Sequence, residues 1–519
     1  MPTWDLLRPA ALAEANPGKG LGRAKTARCG NNAFKQRGRK GVDVMAEQAT
    51  AARGGIGAEA PVPFTVPVRP SFGDALALWA KIGCLSFGGP AGQIALMHKT
   101  LVDERRWISD ARFLHALNYC MLLPGPEAQQ LATYIGWLLH GIRGGLAAGL
   151  LFVAPGAAVM LGLSTLYALF GSVPIVADVF FGIKAAVLAV VIGAARRLAG
   201  RALGSRFLAG LAAAAFVAIY GFGAPFPAII VAAGGIGMAA RRWWPSVLAG
   251  GGQGHGGAAM LSEAPSVIDA MFASGALEHA KPSPARAART VAVWLPLWLG
   301  PVALLWLTLG AHSVWTQIGG FFSVMAAVTF GGAYAVLAYV SQQAVTGFGW
   351  LSTGEMLDGL GLAETTPGPL ILVLQHVGFL AAYRDPGMLA PLLAGCLGAL
   401  LTLWVTFAPC FFWVFLGGPY VETLRGNRML AAALSAITAA VVGVMLNLAA
   451  WFALHVLFGR VAVIGEYGLH LPVPVLDTVD WRAVLLAAGA LIATLRYKAG
   501  VLPVLTVCAA AGVVLARAF

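Results

Sequence analysis

Two short stretches place helix-breaking residues inside apolar sequence: Leu85-Ser86-Phe87-Gly88-Gly89-Pro90 and Pro124-Gly125-Pro126. A break within hydrocarbon frees backbone N–H groups and exposes the positive end of a helix dipole. Those groups must be satisfied by protein, water or ligand. Glycine lets a ligand approach the backbone closely, and proline at a first helical turn removes an N–H that would be unpaired anyway. The chemistry such breaks support is anion binding by backbone amides. Cations stand nearby: Lys81 before the first break, Arg105 and Arg106 in the loop KTLVDERRWISDAR, and Lys184 alone within VFFGIKAAVLAVV. Trp107, Asn118, Glu127, Gln129 and Gln130 complete the first set. Competing readings stay open for each. Glycine also serves tight helix packing and proline a kink. Lysines snorkel, Arg105 and Arg106 have Asp103 and Glu104 beside them, and Trp107 suits an interfacial anchor.

The same words return. Val328-Thr329-Phe330-Gly331-Gly332 answers the first break, and Thr366-Pro367-Gly368-Pro369 answers the second. The offset is 243 residues throughout: 87 to 330, 107 to 350, 124 to 367. YIGW at 134–137 answers HVGF at 376–379 after a slip of one residue. The chain is therefore an internal repeat. The second set of polar candidates is Glu355, Asp358, Glu364, Thr365, Thr366, Gln375 and His376, the histidine also fitting a packed core position.

What must hold these residues is a bundle of membrane helices. Hydrophobic residues make up 59% of the 519, and charged residues only 11%, against roughly 25% in soluble domains. Apolar runs of about 20 residues, the length of a crossing, recur from residue 72 onward. The fold class expected is all-α and polytopic. Thirteen crossings are expected, at 72–97, 111–140, 145–170, 173–195, 206–222, 225–240, 291–310, 318–340, 351–383, 387–416, 429–458, 481–495 and 499–516. The domains follow: a disordered basic cytoplasmic tail at 1–70, in which Met45 offers an alternative start; a first repeat at 71–242; a cytoplasmic linker at 243–290; an unpaired crossing at 291–310; and a second repeat at 311–519. The odd number of crossings between the repeats turns the second upside down. Inverted repeats with broken helices are a secondary-transporter architecture, with sites near the midplane.

The formal net charge is +13. Most loop cations, including Arg143, Arg196, Arg197, Arg201, Arg241, Arg242, Arg496 and Lys498, fall on the cytoplasmic side of this arrangement, as the positive-inside rule requires. The loop Lys99–Arg112 does not; it falls outside, and its surplus of cations there suggests capture of an anion. The six cysteines are scattered, with no metal or redox spacing. Walker, HExxH and GxSxG motifs are absent, so neither ATP-driven pumping nor catalysis by this chain is expected, and no cofactor or metal.

FGGP, RRWIS, LLPGPEAQQLATYIGW and GGLAAGLLFVAPG in the first half, with TFGGAYAVL, GWLS, LAETTPGP and HVGFLAAY in the second, resemble the chromate ion transporter family in its long, two-domain form. Ala333 and Ala338 depart from the glycine and proline of that pattern. The resemblance implies a multi-pass protein of the bacterial inner membrane that exports chromate from the cytoplasm and confers chromate resistance. The substrate-binding residues expected from the breaks and the polar groups around them are Lys81, Gly88, Gly89, Pro90, Arg105, Arg106, Trp107, Pro124, Gly125, Pro126, Gln129, Gln130, Lys184, Gly331, Gly332, Glu364, Thr365, Thr366, Pro367, Gly368, Pro369 and Gln375. Chromate and sulfate are both tetrahedral oxyanions, so a sulfate transporter or exchanger is the alternative, and an integral-membrane enzyme a more distant one. The partners expected are the oxyanion and the lipid bilayer; a homodimer is left open, and no nucleic acid is expected.

Overall fold

The computed structural model describes residues 68–244, 266–330, 333–421, 427–466 and 469–518. The tail expected at 1–70 lies almost wholly outside these residues, as do Met45, Gly331 and Gly332. Helices dominate, as the apolar runs require. In chain order they are α1 (Phe72–Leu85), α2 (Gly89–His98), α3 (Asp110–Cys120), α4 (Glu127–Phe170), α5 (Pro174–Ala202), α6 (Arg206–Phe222), α7 (Phe226–Trp243), α8 (Val267–Ala273), α9 (Pro284–Leu309), α10 (Val314–Val328), α11 (Ala333–Gln342), α12 (Thr353–Thr365), α13 (Val373–Arg384), α14 (Pro391–Gly417), α15 (Arg428–Leu457), α16 (Trp481–Leu495) and α17 (Val501–Ala518). Among the described residues, six segments are long and apolar enough to cross a membrane, built on α4, α5, α9, α14, α15 and α17. The chain is a multi-pass helical membrane protein.

The segments expected as single crossings at 72–97 and 111–140 are instead folded back on themselves. α1 stops at Ser86, whose hydroxyl bonds the Ile82 carbonyl at 2.6 Å, and Gly88 and Gly89 then take positive φ of 84° and 69°. The chain returns so far that Val68, Pro70, Asp74 and Lys81 share one cleft with Arg105 and Trp107. The second segment breaks between Cys120 and Glu127 and comes back to the same end. There His140 bonds the Pro70 carbonyl at 3.0 Å, and the Arg69 guanidinium donates to Leu139 at 2.5 Å. His140 and Gly141 leave helical geometry inside α4, so the returning arm ends there and a separate long helix begins. Helices of 14 and 11 residues span only about 21 and 16 Å, short of the ~30 Å of a bilayer core, and the chain returns after each to the end where it began, which separates them from α16, also short at 15 residues.

The second repeat builds the same two hairpins from the equivalent residues. Trp79, Ile82, Met97 and Leu101 are buried in the first, and Phe322, Met325, Val340 and Ala344 in the second. Each first arm returns through a π-turn, Lys99–Glu104 and Gln343–Gly347. It is closed by Trp107 donating to Leu101 and by Trp350 donating to Ala344, both at 2.8 Å. Ser352 and Glu355 cap α12 reciprocally, and Arg384 at the end of α13 pairs with Glu355, which fastens the open end of that hairpin.

The remaining helices are exchanged between the repeats. α6 and α7 pack on α15 of the second repeat, while α16 and α17 pack on α5 of the first. An antiparallel hairpin, β1 (Val461–Glu466) with β2 (Leu469–Pro474), joins α15 to α16 in register Val461↔Pro474. It is a small departure from the all-α expectation.

More than half of the expected linker falls within the described residues. Residues 245–265 lie outside the description, but α8 follows them and docks on the loop between α2 and α3. Val267 and Ile268 donate to the carbonyls of Arg106 and Trp107 at 3.1 and 3.0 Å. Arg112 pairs with Asp269 at 2.7 Å and lies 3.9 Å over the Phe272 ring. The loop Lys99–Arg112 and this linker are therefore on one side of the protein. The expectation that put them on opposite sides followed from counting 72–97 as a crossing.

Candidate anion site at the helix breaks

The four breaks interlock in pairs across the repeats. Gly125 donates its amide to Thr329 at 2.8 Å, and Gly368 donates its amide to Ser86, also at 2.8 Å. Gly125 and Gly368 are repeat equivalents, and so are Ser86 and Thr329. An exchange in which each copy gives what it receives is the mark of a local two-fold relation. Positive φ at both donors, 129° and 92°, explains why glycine stands there. A Cβ on Gly125 would sit 2.8 Å from both Cys410 Sγ and Gln130 Nε2. Gly156 of α4 has no room for a Cβ either, because the Pro367 carbonyl rests against it.

The paired amides are not free for a ligand, but their neighbours are. α4 starts at Glu127 after Pro126, which supplies no side-chain cap. The amides of Glu127, Ala128 and Gln129 have no partner among the described residues, and neither do those of Leu370 and Ile371 after Pro369. Four buried glutamines surround these ends. Gln93 Nε2 donates to Gly368 at 2.5 Å and Gln130 Nε2 to Pro124 at 2.8 Å. Gln129 Nε2 donates to Thr133 at 3.1 Å and Gln375 Nε2 to Ala157 at 3.0 Å. The Oε1 atom of each is buried without a partner among the described residues. Buried polar atoms are nearly always paired, so four open ones around two open helix ends describe a place prepared for water or a polar ligand.

Other expected residues lie elsewhere. Gly88 is exposed and Gly89 and Pro90 half-buried, and a Cβ on either glycine would meet open space; their role is the positive φ, not close packing. Lys81 and Arg105 face the polar cleft of about 380 Å³ shared with Asp74 and Trp107. Arg106 serves through its carbonyl. Trp107 and Trp350 are buried rather than interfacial. Thr365 and Thr366 turn their hydroxyls onto Leu362 and Ala363 of their own helix.

Lys184 is engaged. Its Nζ lies 3.2 Å from Asp358 Oδ1, and Tyr167 donates to Asp358 Oδ2 at 2.8 Å. A lysine within a membrane helix needs such a counter-charge, so Lys184 is not a free cation for the breaks. His376 packs 5.3 Å from Tyr167 and shares a 2.9 Å hydrogen bond with Ser164, as a core histidine does. Glu364 is buried and accepts from Tyr334 at 2.6 Å. Gln93, Ser164, Tyr167 and Tyr334 were not singled out by spacing; only Gln93, four residues after Gly89, had a signal in sequence.

Comparison with known proteins adds the family. The chain is 30% identical to a chromate transport protein of Pseudomonas aeruginosa, covering 73% of this chain and 80% of that protein. It is 28% identical to a chromate transport protein of Cupriavidus metallidurans, covering 70% and 78%. It is 26% identical to a probable chromate transport protein of Synechococcus elongatus, covering 75% and 84%. No solved structure matches. The profile of the chromate transporter family matches residues 74–238 and 316–514, which are the two copies that exchange hydrogen bonds at the breaks; the chain belongs to the chromate transporter family.

Proposed function

We propose that this chain is a secondary transporter that exports chromate from the bacterial cytoplasm across the inner membrane and so confers resistance. The observation that carries the reading is the pairing of Gly125 with Thr329 and of Gly368 with Ser86, which sets two uncapped helix ends beside four buried glutamines. Backbone amides suit a tetrahedral oxyanion whose charge is spread over four oxygens; the glutamines can add only the second hydrogen of each Nε2, because their open Oε1 atoms are acceptors. Lys81 and Arg105 form a cationic vestibule on the way in, and Glu364, held by Tyr334, is the candidate for carrying a coupled proton.

The topology behind this reading has nine crossings and four half-membrane hairpins. The crossings are the part of α4 after Gly141, then α5, α6, α7, α9, α14, α15, α16 and α17. The hairpins of the first repeat enter from the cytoplasm and those of the second from outside, so the repeats are inverted. Lys99, Arg105, Arg106 and Arg112 then join Arg143, Arg196, Arg197, Arg201, Arg241, Arg242, Arg428, Arg496 and Lys498 on the cytoplasmic side, and the positive-inside rule holds without exception for the Lys99–Arg112 loop.

An inside-negative potential favours efflux of a dianion. Two charges moved through 100 mV gain about 4.6 kcal/mol, enough to sustain an outward gradient without ATP. Sulfate, of the same shape and charge, is the second candidate substrate, because size alone separates such ions poorly. Uptake of labelled chromate into everted membrane vesicles, with sulfate as competitor, tests the reading: uptake dependent on this chain supports it, and uptake of sulfate alone would transfer the site to sulfate. The relatives are named for transport, and recovery of the anion unchanged separates transport from catalysis.

A further inference from the structure

A cavity of about 1280 Å³ opens between α4, α9 and α14, and none of the glycines and prolines of the breaks lines it. Its walls are apolar along most of their length, with Leu146, Leu150, Val153, Val293, Leu297 and Phe407 facing it. Trp294 stacks on Phe411 with ring centres 5.7 Å apart, and Trp404 donates to the Leu297 carbonyl at 3.0 Å, so the floor is a fixed aromatic surface. α9 buries only Trp298 and leaves the groove open along its side. The cations sit together at one end: Arg143 where the long part of α4 begins, and Arg286 and Arg289 in the first turns of α9. Arg286 is partly used, donating to the carbonyls of His279 and Lys281 at 2.7 and 2.9 Å. Arg143 and Arg289 form no ion pair with an acidic residue among those described.

We infer that this groove is a binding site for one anionic phospholipid, with its phosphate among Arg143, Arg286 and Arg289 and an acyl chain along the apolar wall. The dimensions agree. From Ile142 to Ala157 the α4 wall runs about 22 Å, somewhat more than the roughly 15 Å of one leaflet's hydrocarbon. A free phosphate has no use for an apolar wall of that length, and a neutral lipid has no use for three arginines. Basic pockets between membrane helices are suited to anionic headgroups. The inference needs only that the chain spans a membrane, and it stands whether or not chromate is the substrate.

The test is lipid retention by the full-length protein in neutral detergent, read by native mass spectrometry after addition of dioleoylphosphatidylglycerol or dioleoylphosphatidylcholine. The expected result is one tightly held phosphatidylglycerol, preferred at least tenfold over phosphatidylcholine. Arg143→Ala with Arg289→Ala should abolish the preference, whereas Arg241→Ala with Arg242→Ala, a pair outside the groove, should leave it intact. Equal retention of the two lipids by the wild-type protein would overturn the inference, as would equal losses in both double variants. Displacement of the lipid by inorganic phosphate alone would reassign the arginines to a free anion and overturn it too. Should the first double variant fail to fold, a photoactivatable phosphatidylglycerol on the wild-type protein decides: crosslinks on α4 and α9 at the groove support the site, and crosslinks confined elsewhere contradict it.

Discussion

Gly125 donates its amide to the carbonyl of Thr329 at 2.8 Å, tying the proline-flanked break of one repeat to the glycine-flanked break of the other. The same bond recurs with Gly368 and Ser86 in the opposite sense. Neither break can move without disturbing its partner in the other repeat, so the two halves of the site are mechanically one unit.

Substitution at the donors should therefore be costly. Gly125→Ala forces a side chain onto φ +129° and against Cys410 and Gln130, a loss of roughly 1–3 kcal/mol from backbone strain alone. Thermal unfolding in detergent should show a clear drop for Gly125→Ala. Gly89→Ala, with φ +69° but open space around its Cβ, should cost about 1–2 kcal/mol, and Gly89→Asn less. Equal melting temperatures for wild type and Gly125→Ala would remove the interlock as a structural constraint.

The ion pair of Lys184 with Asp358 predicts a stability phenotype rather than a binding one. Lys184→Gln leaves a buried carboxylate without its cation, at about 3–5 kcal/mol. Adding Asp358→Asn should recover a good part of that loss. Chromate KM per folded molecule should stay near the wild-type value in the double variant. A large rise in KM with unchanged stability would instead place Lys184 at the anion.

The docking of α8 on the loop after α2 should depend on pH. Burial raises the Asp269 carboxyl, but hydrogen bonds from Ser266, Arg112 and Ser109 outweigh it and hold the group below its ordinary value. A carboxyl depressed on docking adds stability above the free value of about 3.9, and that contribution is lost as pH falls through the lower docked value. Protection of the amides of residues 266–274, taken relative to the intrinsic exchange rate at each pH, should thus be high at neutral pH and fall only in acid. Asp269→Asn should give fast exchange already at pH 7; protection unchanged in that variant would show that Asp269 does not hold the dock.

Sidedness follows from the fold-back. In a cysteine-free background, Ser109→Cys and Ser274→Cys should be labelled from the cytoplasmic face, and Ser352→Cys from the outer face. Labelling of Ser109→Cys and Ser352→Cys from the same face would end the inverted arrangement.

The repeat was legible in the sequence because glycine, proline and tryptophan mark backbone requirements that apolar substitution cannot meet, so the 243-residue offset survives in Phe87, Trp107 and Pro124. The fold-back was not. Residues 72–97 are apolar for the length of a crossing, and hydropathy records length but not the reversal that Gly88 and Gly89 permit. The one trace was the set of cations at Lys99–Arg112, which looked misplaced only because 72–97 had been counted as a crossing. Lys184 and Asp358 lie 174 positions apart (184 to 358), and nothing local to either announces the other. The glutamines tell both stories: Gln129 and Gln130 adjoin a break in sequence, whereas Gln93 reaches Gly368 only through the fold.

Passage of chromate through the interlocked breaks can be measured with purified protein in liposomes. Labelled chromate is supplied outside and an inside-positive potential is imposed. The expected result is chain-dependent accumulation of unmodified chromate that rises with the potential, is slowed by external sulfate, and is lost in a folded Gly368→Ala variant. Accumulation no greater than in empty liposomes, or undiminished in folded Gly368→Ala, would contradict it.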